Sequence, residues 1–360
     1  MRATRLFVLW LAGLGLLLGA PLQAQQRREA PAAKGVPYKI VTASERGTYI
    51  QIGRDLARYI APLADIELEV LPSAGSSENV KRLRYEPGVK LAMVQSDVYQ
   101  AFLDQAAAGN KEAGEMIRPL RVIMPLYNEE IYFIVRADSP MEYVHDIRGQ
   151  RINTGPIGSG TALTTTTLYR LMFGEPISEA NASFLTNEDA LARLVTEKSI
   201  DVVAVIAGQP AKLLIDMKPE SRQYIKLLKF DRNNAASEAA LRTYFPATVR
   251  ADLHPNLLSE DLPALAVKAY LVTYDFNLDY TRDHLARFMR ALCQNYSQLQ
   301  ANGHPKWREV QIALPELGRG WNYYRTTANE IRNCIANRSA PVAAPKRACT
   351  QQERVLGLCG

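Results

Sequence analysis

Between Tyr38 and Ala108 the chain runs strand, small-residue loop, helix, three times in succession. Tyr38 to Thr42 is the first strand, and Ile66, Leu68 and Val70 alternate with Glu67 and Glu69 in the second. Leu91 to Val94 is an unbroken apolar third. Each is followed by a loop of small or neutral hydrogen-bonding residues: Gly47-Thr48-Tyr49, Gly75-Ser76-Ser77 and Gln95-Ser96-Asp97. Alternation of this kind dictates a parallel sheet with helices on both faces. The loops at the carboxyl ends of such strands gather at one edge, where ligands bind. Thr48, Tyr49, Ser76, Gln95 and Ser96 are therefore candidate binding residues, and none of these loops holds a paired acid and base.

A second unit, about residues 137 to 262, repeats the plan. Leu120 to Leu126 and Ile131 to Val135 read as two strands leading into it, and Arg136 ends the second. A short helix near Tyr143 leads to a strand at Arg151, then to Thr154-Gly-Pro-Ile-Gly-Ser-Gly-Thr161 and a helix from Thr161 to Phe173. Phe184-Leu185 reads as a short strand, and Val202 to Ile206 as a buried one ending in Ala207-Gly208-Gln209. Beyond it the pattern predicts a strand from Ala264 to Tyr274, a long helix from Tyr280 to about Gln300, a short one near Trp307 and another from Trp321 to Ala336.

Glycines between a strand and a helix let the backbone approach a ligand, and free N–H groups at the helix start favour an anion. Ser159, Gly160, Thr161 and Gly208 are the candidates from this unit. The same glycines serve a plain strand-to-helix turn, and on spacing alone both readings stand. Nucleotide chemistry does not fit: Thr161 occupies the place of the phosphate-loop lysine, and Leu163 that of the third dinucleotide glycine. A hydrolase elbow on Ser159 fails at Ile157. The four histidines are scattered without metal-ligand spacing, so no metal or cofactor is expected, and each reads as a surface or packing residue. Glu129-Glu130 and Glu188-Asp189 read as solvated faces, because neighbours point apart on a strand. Arg136, where the first unit hands over to the second, is either a carboxylate clamp or a structural ion pair. Arg46 stands in the same position in its loop.

The N-terminus has the order of a secretory signal: Arg2 and Arg5, an apolar run from Leu6 to Ala20, and cleavage expected after Ala24. No cysteine follows the run, so no lipid anchor is expected. A polar linker spans 25–37. The formal charge of +6 is spread along the chain without a basic block, which argues against nucleic acid as a partner. Cys293, Cys334, Cys349 and Cys359 fit an oxidising compartment. Three pairings are possible, of which 293–334 with 349–359 is favoured.

Seven segments resemble, in order, the TAXI family of solute receptors of TRAP transporters. They are Gly47-Thr-Tyr49 with Ile52-Gly53, Ser73 to Asn79, Val94 to Asp97, Ile134 to Ser139, Asp146 to Ile152, Gly158 to Thr161 and Asp201 to Gly208. Departures stand at Ala43 to Arg46, at Gln51 and at Ala162, and the cysteine-bearing extension after about Trp307 is not a hallmark of that family. The resemblance implies a periplasmic-binding-protein-like α/β fold of two lobes, with crossing strands near Ile131 to Arg136 and Ala264 to Tyr274. Residues 38–136 with 263–338 would form the first lobe, 137–262 the second, and 339–360 an Ala/Pro-rich tail. It implies a periplasmic, non-enzymatic receptor for a small carboxylate such as glutamate, delivering it to membrane permease subunits. A sensor or envelope-complex subunit of the same fold is the alternative, motivated by the unusual first loop and the cysteine tail.

Overall fold

The computed structural model describes residues 35–45, 47–318 and 320–339. The export segment, Arg46, Cys349 and Cys359 lie outside the described residues.

In chain order the elements are β1 (Val36–Val41), α1 (Thr48–Tyr59), β2 (Ile66–Leu71), α2 (Ser76–Tyr85), β3 (Val89–Gln95), α3 (Val98–Ala107), α4 (Lys111–Ile117) and β4 (Leu120–Arg136). Then come β5 (Ile152–Asn153), α5 (Gly160–Phe173), β6 (Ala182–Ser183), α6 (Asn187–Ala192), β7 (Val202–Ala207), α7 (Lys212–Ile215), β8 (Ile225–Leu227), α8 (Ala235–Ala240) and β9 (Phe245–Val249). The last are β10 (Leu262–Tyr274), α9 (Asp279–Gln294), α10 (Tyr296–Asn302), a tight turn at Pro305–Arg308 and α11 (Arg325–Ser339).

The strands lie in the order β2-β1-β3-β10-β4-β7-β5-β6, with β8 beside β4 and β9 beside β10. Strand β1 is parallel to β2 and β3, and β5 is parallel to β6 and β7. Between these two parallel sets run β4 and β10, antiparallel to each other from Leu265 opposite Ile131 to Tyr274 opposite Leu120. Each parallel set carries apolar clusters on both faces, as helix-covered parallel strands require. Ile40, Leu91 and Met93 pack under α1 and α9, while Val41, Ala92 and Val94 pack under α2 and α3. Around β7, Val202 and Ala204 face one cluster, Val203 and Val205 the other. The result is two α/β lobes joined by crossing strands, a periplasmic-binding-protein-like architecture with a cleft between the lobes.

The largest departure from expectation is β4, one strand of 17 residues where two were expected. Tyr127-Asn128-Glu129-Glu130 reads as a polar break, yet both carboxylates are buried and the ladder to β10 runs through them. Three smaller differences have local causes. Asn295 closes α9 by donating from its side chain to Ala291 O at 2.9 Å, which splits the long helix. Residues 322–324 are held extended against Val122, so α11 starts only at Arg325. The strand expected at Phe184-Leu185 lies at Ala182–Ser183, paired with β5, and Phe184 is exposed. Cys293 and Cys334 form a disulfide that ties α9 to α11.

Candidate functional site

The cleft holds a cavity of about 610 Å³, within the range of small-molecule sites. Five helices begin at its wall. Thr48 and Tyr49 open α1, Ser76 opens α2, Gly160 and Thr161 open α5, Asn187 and Glu188 open α6, and Lys212 opens α7. This follows from chain direction: each of these helices begins just past a parallel strand, so its amino end faces the edge where the strands stop. The three longer helices, α1, α2 and α5, each carry about half a positive charge at this end from aligned peptide dipoles and unpaired N–H groups, whereas α6 and α7, of six and four residues, are too short to add much. Gly47 and Gly75, at the starts of α1 and α2, supply no side-chain cap. Ser159 does cap α5, accepting from Ala162 N at 3.0 Å, so its hydroxyl is engaged in the helix.

The inner wall is Glu129, from the middle of β4. The Tyr49 hydroxyl donates to its Oε2 at 2.7 Å. Burial pushes the Glu129 carboxyl up to about 8, against the opposing pull of the Tyr49 hydrogen bond, the Lys306 charge and Gln95. Burial likewise holds the Tyr49 phenol well above its ordinary range, helped by the nearby Glu129. Behind Glu129 lies a fully buried lysine. Lys306 Nζ stands 3.6 Å from Glu130 and 2.8 Å from Glu309. Glu130 also accepts from Gln209 N at 2.8 Å and Gln209 Nε2 at 3.1 Å. The acidic doublet is thus buried and partnered, which corrects its reading as a solvated face. Of the outer acids that line the cavity, Glu45 pairs with Arg54 at 2.5 Å and Asp216 with Lys212 at 2.7 Å, and Glu188 stands at the start of α6.

The lobes touch on one side of the cavity. A Cβ on Gly75, whose φ is +130°, would lie 2.9 Å from Gly160 N, and one on Gly160 would lie 2.0 Å from Gln95 Oε1. Glu78 N donates to Gly158 O at 3.3 Å. Deeper in the seam, Asp97 Oδ2 accepts from Thr164 Oγ1 at 2.7 Å and from the Tyr244 hydroxyl at 2.9 Å. Asp97 is buried, its Oδ1 has no hydrogen-bond partner, and burial pushes its carboxyl up to about 6.

Of the residues singled out in the sequence, Thr48, Tyr49, Ser76, Gln95, Ser159, Gly160 and Thr161 line the cavity, and Ser96, Arg136 and Gly208 do not. Ser96 is held in the sheet: its N donates to Lys268 O, its hydroxyl accepts from Lys268 N, and its carbonyl accepts from Trp321 Nε1. Arg136 lies at the far end of β4, where it donates to Ile200 O at 2.9 Å and pairs with Asp138 and Asp201. It is the structural ion pair, not a clamp in the cavity. Gly208 faces Lys306: a Cβ there would lie 2.6 Å from Lys306 Cε and 3.3 Å from Tyr127 Cε2. Its lack of a side chain makes room for the buried lysine. His304 lines the cavity; its backbone N–H donates to Asp55 at 2.7 Å, and burial lowers its pKa, which favours a neutral ring. Sequence reasoning missed Glu129 and Lys306. The one signal available was a charged doublet inside a run otherwise suited to a buried strand.

Fold and cavity together define a two-lobed α/β protein whose cleft has the size of a small-molecule site. The chain belongs to the NMT1-like family, whose sequence profile matches residues 40–316. Among solved structures it is similar to a TctC solute binding protein from Polaromonas, at 15% identity and a TM-score of 0.41 over 85% of this chain and 100% of that one. It is similar to the periplasmic binding protein BugD at 12% identity and a TM-score of 0.45, over 84% of this chain and 94% of that one. A Candida albicans gene product described as having the generic periplasmic binding protein fold aligns at 12% identity and a TM-score of 0.44, over 86% of this chain and 92% of that one.

Proposed function

We propose that the protein is an exported, non-catalytic solute receptor of the TAXI type, which captures a small carboxylate in the cleft and presents it to a TRAP-type permease. The observation that carries this reading is the convergence of the amino ends of α1, α2 and α5 on one cavity of about 610 Å³. Amino ends of helices stabilise a negative charge without a counter-ion and without reacting with it. Two of the outer acids, Glu45 and Asp216, are paired with Arg54 and Lys212, which reduces their opposition to that field. Membership of the NMT1-like family and the order of the seven matching segments support the same reading. The signal-like N-terminus supports export to the periplasm. In this reading residues 38–136 with 263–338 form one body and 137–262 the other, closing by a hinge in β4 and β10.

Thermal-shift screening with small mono- and dicarboxylates, followed by calorimetry, is the test. Thr161→Val removes a hydroxyl at the start of α5 and is expected to weaken a carboxylate that binds the wild type, while the melting temperature without ligand stays within about 2 °C. An absence of stabilisation by any carboxylate or amino acid would overturn the reading.

A further inference from the structure

Glu129 lines the cavity in which the receptor reading places an anionic solute, and its surroundings decide the form in which it meets one. From α1 the Tyr49 hydroxyl donates to Oε2 at 2.7 Å. Gln95 reaches it from β3, and Glu130 and Tyr127 stand beside it on β4. From the Pro305–Arg308 turn comes Lys306, whose ammonium also lies 5.6 Å from the Tyr127 ring centre. That ammonium already serves two carboxylates, Glu130 and Glu309. His304, which also lines the cavity, is disfavoured as a cation by its burial. An ionised Glu129 would be a third negative charge against one buried cation. Among the described residues no cation lies within ion-pairing distance of it.

Resting on the receptor reading above, we propose that Glu129 meets the solute as an uncharged carboxylic acid, donates a hydrogen bond from its own proton to an anionic oxygen of the solute, and thereby selects for anions. Tyr49 occupies Oε2 as a donor, which directs the acid proton to the other oxygen. The proton stays on Glu129 throughout, and no bond other than the hydrogen bond forms. The burial that holds this carboxyl up to about 8 keeps it protonated at neutral pH. A bound anion favours the protonated form further, so affinity is flat below about pH 8. Above it, affinity falls about tenfold per pH unit until the acid of the complex itself ionises. An ammonium-bearing end of a solute would require the opposite: an ionised Glu129, in a wall where the amino ends of α1, α2 and α5 disfavour a cation.

Glu129→Gln keeps the shape and a donor but cannot ionise, and it separates the two cases. Succinate and L-glutamate are the probes, titrated calorimetrically into wild type and variant at pH 6.5, 8 and 9.5. The proposal expects the acid that binds wild type to bind Glu129→Gln within about threefold at pH 6.5 and to lose the alkaline fall. Loss of binding by more than about thirtyfold in Glu129→Gln, or wild-type affinity that rises with pH, would overturn it. An infrared difference spectrum between wild type and variant needs no ligand and supports the proposal if it shows a protonated-carboxyl band at pH 6.5 that vanishes above pH 9. A carboxylate band alone at pH 6.5 would overturn it. If neither probe binds the wild type, that result counts against the receptor reading, and the infrared band still decides the state of Glu129.

Discussion

Gly160→Ala tests whether contact between the lobes is part of binding. The first residue of α5 faces Gln95 and Ser76 across the seam: an added Cβ would lie 2.0 Å from Gln95 Oε1, 2.7 Å from Gln95 Cδ and 2.8 Å from Ser76 Oγ. Ordinary contact for a Cβ lies at 3.4–4 Å. Gln95 is buried, and its amide oxygen sits between the Ser76 and Thr164 hydroxyls at 3.4 Å from each, so it cannot swing aside freely. The relief available is separation of the lobes. Overpacking of this size costs about 1–3 kcal/mol, which converts to about 5- to 150-fold weaker binding by the closed form. Alanine is a better helix former than glycine by up to about 1 kcal/mol, and Gly160 has no left-handed φ. The melting temperature should therefore hold or rise slightly while affinity drops. Calorimetry with the tightest-binding of succinate, L-glutamate and 2-oxoglutarate measures the first, and small-angle scattering should show a larger radius of gyration. Affinity within twofold of wild type with unchanged scattering would refute the reasoning.

Asp97 should act as an acid-side stabiliser. Its folded pKa of about 6, raised by burial above the ordinary 3.8, means that its contribution is full only well below pH 3.8 and is lost as pH rises through 6. The stability of wild type relative to Asp97→Asn, from urea unfolding, should increase by about 2 kcal/mol between pH 7.5 and pH 4. A pH-independent difference would show that the seam does not hold this carboxyl as described. The Cys293–Cys334 bridge closes a loop with a sequence separation of 41. Its removal by Cys293→Ser with Cys334→Ser should cost about 4 kcal/mol on the chain-entropy account. Carboxylate affinity should stay within twofold, since neither cysteine lines the cavity.

Much of the architecture was legible because it rests on local pattern. Alternation of β-branched runs with helical spacing places the parallel strands and the helices between them. The rule that loops gather at the strands' carboxyl ends puts Thr48, Tyr49, Ser76, Gln95, Gly160 and Thr161 around one space. What failed depended on partners distant in sequence. Glu129 and Glu130 resemble a solvated doublet until Tyr49, Gln209 and Lys306 are brought against them. Lys306, within His304-Pro-Lys-Trp307, gives no local sign of being fully buried. Gly208 reads as a ligand-facing loop residue, but the atom that needs its space is that lysine's side chain. Arg136 could be placed at a strand end, yet which pole of β4 faces the cleft depends on the crossing with β10.

The central claim is that helix starts at the cavity hold an anion. Calorimetric titration of the purified protein at pH 7 with succinate and glutarate, each against its neutral diamide, tests it most directly. The account predicts saturable heat from at least one acid and none from its diamide at the same concentration. Equal binding of acid and diamide, or binding of a diamide alone, would contradict it.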